Sequence, residues 1–505
     1  MIDIKLRMLC TAAVCACGWL SVSVLHAEDT QPADLMAIVT QTCDALIEHG
    51  RDRWGDEKTA LIASVLDRKK LAPPDKLPKG GAGVRNGDRT TPAGSNVNMQ
   101  QNFFRTFYLL STITGDPKYA QAADAALLDF IRKAQSPVTG LVGWGEHLGY
   151  DLKADEVQAF GDQKLIHEPK KPLVFWDFLY EHEPERMLKY ATGIWEHQIH
   201  DHKTGNFSRH ASFDKHSPRT NYDFTKEAGH FIDIWGNAYQ ASGDETYGKA
   251  IDVLTQRYAR KLNDRNLLDY DSARADYCNN GHNLTFACDV FDAASRVTGY
   301  ENGKLSERMV KLTEAIDRGF LAVDHRPDVP ELGFIATCTT GNGEPRDRNG
   351  PGPGGYSVQW GMGYGRQTTS MNALHCFRRA SQLGAGSDAD AYRQLALDAA
   401  EGYAKTGAPP EDIDVWPVEY GAVILMHLAA AQVSNDPSHL IQARRRADEA
   451  VKLFWDESSP LPKSSIRAKH FETITGAETL VFALMALHIA EQDLPVDVPF
   501  SDIDR

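Results

Sequence analysis

Among its 505 residues the chain has no Cys-x-x-Cys pair, no Gly-x-Ser-x-Gly elbow and no glycine-rich loop ending in Gly-Lys-Ser or Gly-Lys-Thr. These absences exclude the common zinc spacings, the α/β-hydrolase nucleophile turn and the phosphate-binding loop. Positive charge is also short: the formal net charge is −15. Nucleic acids and anionic membrane surfaces select basic proteins, so neither is expected as a partner. An acidic sugar is not excluded, because a local group of arginines can dominate a cleft. Long apolar runs are missing after the first 27 residues, so no stable membrane insertion is expected beyond them. Those first residues, with Lys5 and Arg7 ahead of the apolar run Met8 to Leu25 and small Ala27 behind it, read as a signal peptide for a secreted or periplasmic protein. A single membrane anchor is the weaker alternative, since Ser21, Ser23 and His26 break the run. Residues 28–505 then read as one domain. They keep Cys43, Cys278, Cys288, Cys338 and Cys376, an odd and widely spaced set. An oxidising compartment allows one or two disulfides among them, while Cys288 and Cys376 read equally well as buried helical thiols.

What is present is a repeat. Thr114-Gly115-Asp116-Pro117 and Ser242-Gly243-Asp244-Glu245 are two copies of one turn, with weaker copies at Thr298-Gly299-Tyr300 and Ser434-Asn435-Asp436-Pro437. Gly or Asn supplies a left-handed helix stop, Asp caps the next helix and Pro suits its first turn. Each turn joins an apolar helix to an amphipathic one: Phe103, Phe104, Phe107 and Leu110 precede the first copy, and Tyr119, Ala123, Leu127 and Phe130 follow it on one face. The spacing between copies is irregular, which argues against an open solenoid. The expected fold is all-α: a closed (α/α) toroid of about six to seven helical hairpins, with inner helices buried all round.

The connections are asymmetric. Turns from an inner to an outer helix are short, whereas the return segments are long, for example 75–96, 140–175, 200–223, 263–281 and 322–367. They are rich in Gly, Trp, Tyr, Asn, His and Arg, which disordered linkers rarely are, and long loops in compact domains are usually functional. All should lie at one end of the ring, at the N-termini of the inner helices, and the active site is expected there.

Three segments carry candidate chemistry. Asp276 to Asn283 opens an inner helix with Tyr277, Asn279, Asn280 and His282, which suits β-elimination from a uronic acid. There an amide binds the carboxylate, His or Tyr removes the C5 proton, and Tyr protonates the leaving oxygen. The competing reading is a helix cap at Asn279 or Asn280. Gly143 to Asp151 offers Trp144 for stacking on a sugar and Glu146, His147 or Asp151 for hydroxyls or acid–base work. The glycine-rich stretch Asn349 to Gly365 leads to Trp360, Tyr364 and Arg366, with Arg366 a candidate carboxylate clamp; Arg85 and Arg89 offer the same. Asp223, Glu419 and Glu472, with Asp177, Glu181, Glu227 and Asp233, supply the carboxylates from which a hydrolytic pair would be drawn. No metal-ligand spacing is present in Glu227 and His230 or in the group His197, His200 and His202. No cofactor is expected, although the Asp-rich loops leave room for calcium.

The hairpin repeat with its Thr-Gly-Asp-Pro-x-Tyr turn resembles the six-hairpin glycosidase-like and α/α-toroid polysaccharide lyase group over most of residues 28–505. The Gly281-His282-Asn283 helix opening with Thr298-Gly299 at its end is also similar to hairpins of the N-acylglucosamine 2-epimerase type. The lyase resemblance implies Asn280 as carboxylate neutraliser, His282 as base, and Tyr277 or Tyr364 as acid, with Gly281 standing between the first two. It implies an exported enzyme cleaving a glycan, with uronate lyase ahead of glycoside hydrolase, and sugar epimerase or non-catalytic glycan binding behind both.

Overall fold

In a computed structural model, residues 32–498 are described apart from 147, 159–164, 168, 170, 218–219, 348–354 and 364–366. The expected signal peptide therefore lies outside the described residues, as do His147, Tyr364 and Arg366. The helices are α1 (Leu35–Ala45), α2 (Gln101–Thr114), α3 (Lys118–Ala134), α4 (Trp176–His182), α5 (Pro184–Gly193), α6 (Thr225–Ser242), α7 (Glu245–Lys261), α8 (Asn280–Arg296), α9 (Lys304–Leu321), α10 (Thr369–Leu383), α11 (Ser387–Lys405), α12 (Pro417–Ser434), α13 (Ser438–Phe454) and α14 (Ala477–Glu491). All fall in one compact unit beginning at Asp34.

The even-numbered helices form the inner ring. α6, α8, α10, α12, α14 and α2 pack in that order, and Asn102 of α2 donates to Thr479 of α14. Short α4 fills the gap between α2 and α6: Phe175 at its start packs on Phe104 and Tyr108, and the Tyr180 hydroxyl donates to the Ala241 carbonyl. The odd-numbered helices lie outside, with α1 against α14. Among the described residues this makes seven pairs, and the fold is an (α/α) toroid. Burial follows the sequence. α12 is buried continuously from Pro417 to Ala430, while α13 hides one face. Gly115 and Gly243 take φ of 72° and 70° at the ends of α2 and α6, a conformation that costs other residues strain. Asp244 then accepts from the Thr246 N–H at the start of α7. A partly open pocket of about 240 Å³ lies among the inner helices, touched by Arg105, Trp176, Asn237, Asp289 and Arg378 from five of them.

The long connections meet at one end, and backbone pairing shows it. Gly94-Ser95 pairs with Tyr150-Asp151, Leu165-Ile166 with Ala211-Ser212, Ala273 with Asn221, and Tyr277–Asn279 with Thr337–Thr339. Ile466 bonds Val415, and Val65–Asp67 pairs with His470–Glu472, returning to the first loop. Each return segment is thus tied to its neighbour around the mouth, with the link between 322–367 and α12 made by Glu419, which accepts the Gly361 and Met362 N–H groups.

Candidate active site

The described residues of the mouth divide into an open cationic sector and a closed one. In the open sector Arg85, 61% exposed at its side chain, reaches Glu146 at 3.2 Å. The other Glu146 oxygen lies 3.1 Å from His167 Nδ1. His167 Nε2 in turn faces His210 Nε2 at 2.6 Å. Loop pairing sets up this row: the strand Leu165-Ile166 is hydrogen-bonded to Ala211-Ser212, which holds His167 beside His210. Next to it the Arg209 guanidinium lies 4.1 Å over the Phe224 ring. Arg274 covers Phe224 and Tyr270 from 5.2 and 4.6 Å, and it is bound to Asp271 through Nε at 2.9 Å. Tyr270 stacks on Tyr277 and on His282, at 5.0 and 5.3 Å between ring centres. Arg346 sits over Tyr277 and pairs with Asp276. A belt of Arg, His and aromatic side chains therefore runs from Arg85 to Arg346 across five connections. It joins Glu146 of one sequence-expected segment to Tyr277 and His282 of another.

The closed sector holds residues of the same types in buried bonds. Arg89 makes a bidentate pair with Glu472 at 2.6 and 2.8 Å, and His470 lies 3.0 Å from the same carboxylate. Burial works to raise the Glu472 carboxyl, but the bonds from His470 and Arg89 prevail and hold it below its ordinary value. Glu419 accepts the N–H groups of Trp416, Gly361 and Met362 at 2.7, 2.6 and 3.1 Å. Its burial pushes the carboxyl up to about 8 against those three donors.

Several sequence expectations are corrected by this geometry. Trp144 is 2% exposed, packs on Phe130 and Tyr190 and donates its indole N–H to the Tyr190 hydroxyl, so it has no face for a sugar. Trp360 is buried against Tyr403, Tyr420 and Arg446. Asn280 is buried and donates to the Ile335 carbonyl, while Asn279 caps α8 by accepting from the His282 N–H. The cap reading holds for Asn279, while Asn280 ties α8 to the 322–367 connection. Asp223 is enclosed by Arg257, Lys261 and Ser272 and faces outer helix α7; burial would raise its carboxyl, yet the two cations hold it low. Arg89, Glu419 and Glu472 are committed as described above. Asp233 pairs with Arg296 and lines the pocket among the inner helices with Asp177. Glu227 accepts from Gln198, and His230 is bound to Asp289 at 2.9 Å. Tyr277 is 3% exposed, beneath Tyr270. His282 is half-buried at the belt.

His167, Arg209, His210, Tyr270 and Arg274 were not singled out from the sequence. Their signal was Arg209-His210 inside a long return segment, with a second His in the preceding one. His167 and His210 offer two facing imidazole nitrogens, fewer than the three protein ligands that even an open zinc site keeps. Among the described residues there is no group of three or more His, Cys, Asp or Glu placed to hold a metal ion. No described helix is long and apolar enough to cross a membrane.

Residues 83–236 match the family described as periplasmic pectate lyase. Arg85, Glu146, His167, Arg209, His210 and Phe224 all fall in that stretch. A relative, pectate disaccharide-lyase of Dickeya dadantii (strain 3937), is 27% identical over 119 residues, which are 24% of this chain and 22% of the relative. The match thus spans about a fifth of the relative's length. Among solved structures, an unsaturated glucuronyl hydrolase specific for heparin aligns with a TM-score of 0.47 at 10% identity, covering 91% of this chain and 98% of its own. Cellobiose 2-epimerase from Bacillus thermoamylovorans B4167 aligns at 0.44 and 10%, covering 90% and 98%.

Proposed function

We propose that the chain is an exported lyase that cleaves a uronate polysaccharide of the pectate type by β-elimination. The observation that carries this reading is the coincidence of the family match with the open cationic sector. In a chain of net charge −15, Arg85, Arg209, Arg274 and Arg346 gather with three imidazoles along one belt, where Arg85 is paired with Asp88 and Glu146, Arg274 with Asp271 and Arg346 with Asp276. A polyanionic glycan is the substrate class such a belt attracts.

β-Elimination removes the proton from C5 of a uronate and expels the oxygen at C4, leaving a C4–C5 double bond. The proton is acidic only if the negative charge developing on the carboxylate is met by cations, and guanidinium groups suit a carboxylate geometrically. Arg209 is the centre of this proposal: it stands beside His210 and over Phe224, whose ring centre is 6.1 Å from that of His282. In our reading Arg209 and Arg274 grip and polarise the uronate carboxylate, and His282, the base expected from sequence, takes the C5 proton. Glu146 and His167 fix the orientation of His210, which backs Arg209. Arg85 binds a neighbouring uronate along the chain. Hydrolysis has less support, because Asp223, Asp233, Glu419 and Glu472 are each enclosed by bonding partners and do not form a facing pair.

The test is incubation of purified protein with polygalacturonate and other uronic-acid glycans, following the ultraviolet absorbance of the unsaturated uronate product. Absorbance growing in step with new reducing ends is expected. New reducing ends without that absorbance would overturn elimination in favour of hydrolysis.

A further inference from the structure

Cys278 and Cys338 stand directly opposite one another on neighbouring antiparallel strands. The bonds on either side fix the kind of position they occupy. Asn280 N–H donates to the Ala336 carbonyl and Thr340 N–H to the Asp276 carbonyl. Both bonds join directly opposed residues, two places before and two places after the cysteine pair. Hydrogen-bonded and non-hydrogen-bonded positions alternate along an antiparallel ladder, so the cysteines share the hydrogen-bonded kind. Cα atoms are then about 5.5 Å apart, inside the window of about 4.4–6.8 Å for a disulfide, while the Cβ atoms of such a pair, also about 5.5 Å apart, must draw together by about 1 Å for the bond to close. Side chains directly opposed in a ladder leave on the same face. Here that face is a small apolar cluster of Leu267, Cys278, Val323, Ile335 and Cys338, in which both thiols are buried.

We propose that Cys278 and Cys338 are joined by a disulfide in the mature protein. The two thiols give up two protons and two electrons to the disulfide of a thiol–disulfide oxidant such as oxidised glutathione. A thiolate of the pair attacks it and releases one thiol; the second cysteine then attacks the mixed disulfide and releases the other. Both residues are at most 1% exposed in the folded chain, so the bond forms during folding and is shielded from reductants afterwards.

The bond staples the 322–367 connection to the strand that opens α8. It does so one residue from Tyr277 and on the same connection as Arg346, whose guanidinium lies over that ring. It closes the long span between 278 and 338, and cross-links that close long spans restrict the unfolded chain most. The inference does not rest on the lyase reading and survives its failure.

Synthesis of the full chain in a glutathione redox buffer, followed by alkylation, proteolysis and mass spectrometry, tests the proposal. A peptide pair linked through Cys278 and Cys338 is expected, lost on reduction, with Cys43, Cys288 and Cys376 alkylated. Recovery of Cys278 and Cys338 as separately alkylated thiols under oxidising conditions, or linkage of either to another cysteine, overturns it. As a second measurement, dithiothreitol should lower the Tm of the unfolding wild-type chain by several degrees and leave the Tm of Cys278→Ser/Cys338→Ser unchanged. An equal response of both proteins would count against the bond. If the double variant does not fold, the peptide map of the wild type decides alone.

Discussion

Arg85 and Arg89 lie four residues apart in the same connection, yet one is 61% exposed at its side chain and the other fully buried. Arg85 is held by Asp88 and Glu146 with its guanidinium still at the surface of the open sector, whereas Arg89 is locked onto Glu472 and Pro78 in the closed one. The same contrast runs round the mouth. Glu419, Glu472, Trp360 and His470 brace connections against one another; Arg209, His210, Arg274 and His282 line a half-buried belt. The toroid needs both kinds of polar residue at its mouth. Connections without helix or long strand must satisfy their backbone groups with buried side chains, and only what remains after that bracing is available for a substrate.

The comparison predicts opposite phenotypes for the two sectors. The largest effect is expected for Arg209→Ala and His210→Ala: turnover of polygalacturonate should fall by a factor of about 10² to 10⁴, with thermal unfolding close to wild type. Activity within a few-fold of wild type in both would remove the open sector from the chemistry. His282→Ala should also abolish turnover, and its retention would leave Arg209 as carboxylate grip and transfer the base role elsewhere in the belt. Next comes Arg89→Ala, which leaves Glu472 buried beside His470. Removing one partner of a buried ion pair costs about 3–5 kcal/mol, read as a lower denaturant midpoint. If stability is unchanged and only activity is lost, the closed sector is catalytic and the division fails.

How far these roles were legible in sequence differs between fold and site. The Gly-Asp turns and the unequal connection lengths predicted the toroid and its single elaborated end, because a left-handed stop and an Asp cap are local events written in adjacent residues. The pair α4 and α5 was not resolved, since seven-residue α4 is too short to display a helical period. Residue type alone named Arg85, Glu146, Tyr277 and His282 of the belt. It also named Trp144, Asn280, Asp223, Glu419 and Glu472, because burial depends on partners remote in sequence: Glu472, 383 residues on, is what removes Arg89 from the surface, and Tyr190, 46 residues on, is what occupies Trp144. Arg209 and His210 were missed for the mirror reason. Nothing near them in sequence announces that Leu165-Ile166 will bring His167 alongside.

A smaller effect sharpens the comparison within the open sector. Arg85→Ala leaves two buried carboxylates, Asp88 and Glu146, without their guanidinium, so the unfolding midpoint should fall, though by less than for Arg89→Ala, because Arg85 is itself mostly exposed and Arg89 is not. KM for long polygalacturonate should rise by a factor of about ten while kcat holds, and added salt should erase much of the difference between variant and wild type. An unchanged KM would mean that the substrate does not pass this side of the mouth.

The smallest expected effect concerns Glu419 and the pH dependence of the closed sector. Its folded-state carboxyl titrates at about 8, above the ordinary 4.5. Between those values the folded chain holds a proton that the unfolded chain has released, so Glu419 favours the folded state below about 4.5, and that contribution is lost as pH climbs to about 8. Glu472 and Asp223, whose carboxyls are held low, act in the other direction: their contribution is present above the ordinary carboxylate range and disappears in acid. The Glu419 contribution should therefore decline from pH 5 to pH 8, against the opposite trend of the buried imidazoles of His325 and His427, which burial holds low and which favour the folded state as pH rises. Glu419→Gln removes the titrating carboxyl but leaves one amide N–H facing a backbone donor, so the variant begins less stable. The informative quantity is the difference between the two proteins: from pH 5 to pH 8 the midpoint of the variant should gain on that of the wild type. A slope identical in the two proteins would show that Glu419 is ionised throughout, with the three backbone N–H groups and the start of α12 outweighing its burial.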